Sequence, residues 1–118
     1  MISALHAQAF YKQVADLGAV WTIRDEGGYP APVNRDGFRA QPFWSSRSRA
    51  EKIIASVHAY KNFLPVEITL EAFLGRWLPG LEEDGILVGV NWSGGRATGY
   101  DIPPSQVAAN LRSAAGLG

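Results

Sequence analysis

Residues 86–92 read ILVGVNW, with apolar side chains on both faces until Asn91. A run of that kind, bounded by Gly85 and by Ser93-Gly94-Gly95, is a strand inside a sheet and not at its edge. An interior strand needs a neighbour along each edge, so the rest of the chain must supply further strands. Residues 96–102 return from the glycine turn as one of them.

The other elements follow from periodicity. Leu5, Ala9, Phe10, Val14 and Leu17 recur at helical spacing and Gly18 stops them, which predicts a first helix. Residues 19–25 alternate, with Trp21 and Ile23 on one side and Thr22 and Arg24 on the other, as in a half-buried strand. Glu26-Gly27-Gly28 is a turn. Residues 29–33 are predicted as a second strand, edge or irregular because Pro30 and Pro32 lack ladder donors. Asn34-Arg35-Asp36-Gly37 turns the chain into a third strand over residues 38–44, completing a three-stranded meander. Two helices come next. The first carries Ala50, Ile53, Ile54 and Val57; the second starts at Thr69 and is kinked or divided by Pro79. A last short helix opens at Pro103-Pro104-Ser105. The predicted order is α-β-β-β-α-α-β-β-α. That is an α+β fold with a mostly antiparallel sheet of about five strands and helices on one face.

With 118 residues, the chain fits a single domain over 1–118, with residues 113–118 as a frayed tail. Hydrophobic residues make up 47% and charged residues 19%, so the chain folds and buries a core of its own. The absence of cysteine excludes disulfides, thiolate metal sites and thiol nucleophiles. No apolar run spans a membrane and no leader pattern opens the chain, so the expected location is the cytoplasm. Eleven basic residues balance eleven acidic ones, which argues against a dedicated nucleic-acid binder. The balance is local, however: residues 35–61 hold six Lys or Arg against two acids, and residues 62–91 one against five.

The segment PFWSSRSRA, residues 42–50, concentrates the chemistry. Either Ser46 or Ser48 caps the helix that follows, and Ser48 with Glu51 has the spacing of a capping box. Arg47 and Arg49 then occupy the first turn, where the positive end of the helix dipole disfavours cations. Arg47, Arg49 and Lys52 beside Trp44 and Ser46 make a candidate patch for an anionic partner, since guanidinium groups grip carboxylate or phosphate in pairs of bonds. His6 and His58 have no neighbours at metal-ligand spacing, and Glu82-Glu83-Asp84 reads as a solvated helix end. Neither a catalytic residue, a metal site nor a cofactor is expected. The four tryptophans, Trp21, Trp44 and Trp92 on strands and Trp77 on a helix, are core candidates that each bury about 200 Å².

Three stretches together resemble a bacterial family labelled domain of unknown function 2750. They are FYKQVADLGAVWTIRDEGGY, PFWSSRSRA and VEITLEAFLGRWLPGLEEDGILVGV. The likeness rests on Val20-Trp21, on Trp44 with Ser46 and Ala50, and on the Trp-Leu-Pro-x-Leu-x-x-Asp-Gly run from Trp77 to Gly85, within roughly residues 8 to 112. Ser45 stands where the family pattern has proline. The resemblance implies a fold and no catalytic residue.

Three functions are carried forward as expectations. The first is a non-enzymatic domain that recognises another protein, because aromatic and arginine residues are those enriched at interface hot spots. The alternative is a small anionic-ligand binder or weak hydrolase at the start of the helix after Trp44. The third is single-stranded RNA binding, which combines cations with exposed aromatics.

Overall fold

The computed structural model describes residues 2–117, with side chains at 7–97 and 99–117. Helix α1 (Ile2–Leu17) buries Ala7, Phe10 and Val14, three positions at helical spacing. It ends because Gly18 adopts φ +69° and returns its N–H to the Val14 carbonyl at 2.8 Å. Leu17, predicted to belong to the buried stripe, is instead 67% exposed.

Strand β1 (Ala19–Arg24) follows and pairs antiparallel with β3 (Leu64–Thr69), not with the next segment of chain. Residues 29–33, predicted as a strand, are irregular. Pro30 and Pro32 cannot donate to a ladder, so this segment is tied alongside residues 39 and 40 by isolated bonds, including Ala40 N–H to the Pro32 carbonyl at 3.0 Å. The predicted meander is therefore absent, and β3 stands where no strand was predicted. Strand β2 (Ala40–Phe43) runs parallel to β4 (Leu87–Ser93), which pairs antiparallel with β5 (Thr98–Ile102). The predicted single antiparallel sheet is thus corrected to two sheets, β1-β3 and the mixed β2-β4-β5. One bridge joins them: Trp21 and Trp44 exchange main-chain bonds of 2.8 and 2.7 Å. Beyond it the ladder lapses at Pro42, which has no N–H, and the hydroxyl of Thr22 donates to the Pro42 carbonyl at 2.8 Å instead.

Between β2 and β3 lies α2 (Arg47–Ser56) with a 3₁₀ turn at His58–Tyr60. After β3 a helical run begins under the Thr69 cap, whose hydroxyl accepts from Ala72 N–H at 3.1 Å. It comprises α3 (Leu70–Ala72), a π-helical turn (Phe73–Trp77) and α4 (Leu78–Asp84). The π turn has a local cause. Pro79 cannot donate to Gly75, so the preceding N–H, of Leu78, reaches back five residues to Phe73. Helix α5 (Pro104–Ala114) closes the chain. The observed order is α-β-β-α-β-α-β-β-α, an α+β fold.

Helices cover both faces of the strands, which corrects the one-face expectation. Val20, Phe43, Val88 and Val90 pack with α1, α4 and α5, through Phe10, Val14, Leu78, Leu81, Val107 and Leu111. On the opposite face Ile23, Ala40 and Trp44 pack with Ala50 and Ile53 of α2. Alternation along a strand sends neighbouring side chains to opposite faces, so β1, β2 and β4 each serve two cores. That is why ILVGVNW is apolar on both faces as far as Asn91. Among the described residues no helix is long and apolar enough to cross a membrane.

A candidate ligand cleft at the start of helix α2

The chain leaves β2 through Trp44, Ser45 and Ser46. Trp44 is fully buried, and its indole Nε1 donates to the main-chain carbonyl of Trp92 at 2.8 Å. Ser46 is the N-cap of α2: its backbone is extended, and its hydroxyl accepts from Arg49 N–H at 3.3 Å. Among the described residues the Ser48 hydroxyl meets that of Ser46, at 3.2 Å, and no main-chain N–H, and Glu51 pairs with Arg47, so the alternative capping box does not form.

Ser45, between them, is fully buried and needs partners. Its N–H donates to Oδ1 of Asn91 at 2.9 Å, and Nδ2 of Asn91 donates to its Oγ at 3.1 Å. The hydroxyl of Ser45 donates onward to Oε1 of Gln13 on α1. Helix α1, the β2–α2 turn and β4 are thereby knotted together by three uncharged side chains. Asn91 holds φ 47°, a left-handed conformation that asparagine tolerates better than most residues, at a bulge in the β4–β5 ladder. The bulge changes the face of everything after it. Val88 and Val90 belong to one core, but Trp92, two residues on, belongs to the other. Its indole lies over Gly89, where a Cβ would be 2.3 Å from a ring atom, and its Nε1 donates to Asp101 at 2.9 Å.

In front of this knot opens a cleft of about 1030 Å³. It lies beyond the carboxyl ends of β2 and β4, the parallel pair. One wall is the end of α1, with Gln13, Asp16 and Leu17; the other is the start of α2, with Ser46, Ser48, Arg49 and Lys52. Ser93, Gly94 and Gly95 of the turn after β4 complete it. Arg49 and Lys52, three apart on α2, project from one side of the helix. Neither forms an ion pair within the described residues. Gln13 has its Oε1 taken by Ser45, which leaves its amide donors toward the cleft.

A protein family described as "Protein of unknown function (DUF2750)" matches residues 7–111. The chain belongs to this family. No match is found among curated proteins. The matched span runs from α1 into α5 and takes in every residue that lines the cleft.

For this DUF2750 member, the structure separates the residues singled out from the sequence. Ser46, Arg49 and Lys52 share the cleft. Arg47 turns away from it, over the ring of Trp21 at 5.6 Å and onto Glu51 at 3.2 Å. Trp44 lies in the core beneath, where its surface touches nothing outside. Sequence reasoning did not find Gln13, Asp16 or the polar knot. The usable signal was Asn91 itself, an amide ending an apolar strand, where burial demands a partner. Of the remaining candidates, Glu82 accepts from Ser105 N–H at 3.1 Å, so an acid poorly placed for α4 serves the positive end of α5. His58 is exposed on the 3₁₀ turn, and the side chain of His6 lies outside the described residues.

Proposed function

We propose that this DUF2750 protein binds a small anionic ligand in the cleft between α1 and α2. Arg49 and Lys52 are the counter-charges, and the hydroxyls of Ser46 and Ser48 and the Gln13 amide are further donors. The observation that carries the reading is position. The cleft sits beyond the carboxyl ends of two parallel strands, one of which feeds directly into the capped start of α2. Ligands of open sheets with parallel strands bind in that place, where helix-start amides point outward and the dipole favours negative charge. Both cations stand where they oppose the dipole of their own helix or gain nothing from it, and a bound anion would answer both.

Thermal unfolding with and without inorganic phosphate, and with small dicarboxylates, tests the proposal. A ligand at a hundred times its Kd adds about 2.7 kcal/mol to stability. Stabilisation that Arg49→Ala removes and Arg47→Ala leaves intact supports the cleft. Stabilisation indifferent to Arg49, or none with any anion, contradicts it.

Protein recognition keeps one observation in its favour. Val33 and Phe38, either side of the Asn34 turn, are 66% and 55% exposed, and Asn34 ties this turn to Asp101 of β5 at 3.0 Å. Large apolar side chains held out on a rigid turn suit a partner's surface. Loss of a captured partner in a Val33→Ser, Phe38→Ser double variant supports this second reading, and its retention counts against it.

A further inference from the structure

We infer that the ligand of this cleft is dipolar: its anionic group faces Arg49 and Lys52 on α2, and an ammonium group faces Asp16 on α1. The inference rests on the cleft being an anion site and goes on to name the class of ligand, a small zwitterion such as an amino acid or an aminoalkyl phosphate.

The two walls are polarised in opposite senses. Asp16 lies in the last turn of α1, the negative end of that helix, and α1 has no basic residue in its last turn to offset it. Arg49 lies in the first turn of α2, the positive end, and α2 has no acidic residue there. Each helix therefore carries its charge where its own dipole disfavours it. Both misplaced ends line the same cleft. Within the described residues Asp16 forms no ion pair with Arg49 or Lys52 across it. By contrast Arg47, on the same turn of α2 but outside the cleft, is paired with Glu51. A plain anion would answer the α2 wall and be repelled by the α1 wall. A ligand with a cationic group at its other end answers both. Glu82 shows the alternative outcome in the same molecule: an acid misplaced at the end of α4 is answered within the chain, by the start of α5.

Two matched pairs of probes test this: succinate against L-aspartate, and inorganic phosphate against phosphoethanolamine. Within each pair the second carries an ammonium group, and comparing the pairs separates carboxylate from phosphate ligands. Titration calorimetry on the full chain is expected to show the ammonium-bearing member of at least one pair binding about tenfold tighter than its plain partner. Asp16→Asn is expected to abolish that preference while leaving the plain anion's affinity equal or better. The same variant is expected to raise the melting temperature of the free protein, since it removes a charge from the negative end of α1, so lost preference cannot be put down to misfolding. Anions that bind through Arg49 with no preference for the ammonium, or an Asp16→Asn variant that keeps the preference, would overturn the dipolar ligand and leave the anion site standing. No binding by any of the four probes counts against both.

Discussion

The indole N–H of Trp44 donates to the carbonyl of Trp92 at 2.8 Å, across the interface between the β2–α2 turn and the bulged end of β4. Both residues are buried, so neither group has water as a substitute partner. Trp44→Phe keeps most of the ring's packing and removes the donor, taking this buried partner from the Trp92 carbonyl. The expected cost is about 1–3 kcal/mol by urea unfolding. A loss near zero would show that the bond is not made.

Gly89 is required by the ring above it. A Cβ at this position would fall 2.3 to 2.5 Å from three atoms of the Trp92 indole. Gly89→Ala must therefore push the ring off the sheet and away from Asp101, at a cost of about 1–3 kcal/mol or more. Paired with Trp92→Leu, which removes the obstruction, the alanine is expected to cost less than it does alone. Simple additivity in that double variant would contradict the contact.

Ser45 and Asn91 bond to each other twice, so they should behave as one unit. Ser45→Ala and Asn91→Ala are each expected to destabilise, and a double-mutant cycle is expected to return a coupling of about 0.5–3 kcal/mol. Asn91→Gly is expected to be milder than Asn91→Ala, because glycine adopts the φ of 47° without strain. The reverse order would mean that the backbone at the bulge is not left-handed.

Burial pushes the pKa of Tyr11 and of Tyr60 above the ordinary 10.0, with Asn110 lowering that of Tyr11 in partial offset. The folded chain then holds these phenolic protons more tightly than the unfolded chain does. Stability from this source is complete below pH 10.0 and falls as pH rises past the unfolded value and through the raised native ones. Chemical denaturation across the alkaline range is expected to show that fall, and a Tyr11→Phe, Tyr60→Phe double variant to show a shallower one. An unchanged alkaline slope would remove the tyrosines as its cause.

Local pattern carried much of this fold and little of its pairing. ILVGVNW announced an interior strand because burial on two faces leaves no polar alternation, and the Thr69 cap and Pro79 break are written in residue chemistry. Strand β3 escaped because LPVEIT carries a proline and exposes Leu64 and Glu67, as an edge strand does, so its composition resembles a linker. Its pairing with β1, forty to fifty residues earlier in the chain, is a tertiary choice that no window of sequence displays. The start of α2 was legible as a place where cations oppose a dipole. What faces it was not, since Asp16 and Gln13 arrive from another helix; Trp44, a core candidate also placed beside the cations of the patch, lies wholly in the core with its indole bonded to the Trp92 carbonyl.

The most direct test of the account is a titration of isotopically labelled protein with inorganic phosphate, followed by amide and side-chain NMR shifts. The cleft predicts saturable shifts at Ser46, Ser48, Arg49, Gly94, Gly95 and the Gln13 side-chain amide, and their loss in Arg49→Ala. Shifts that never saturate, or that gather around Val33, Phe38 and Tyr100 while the start of α2 stays still, would contradict it.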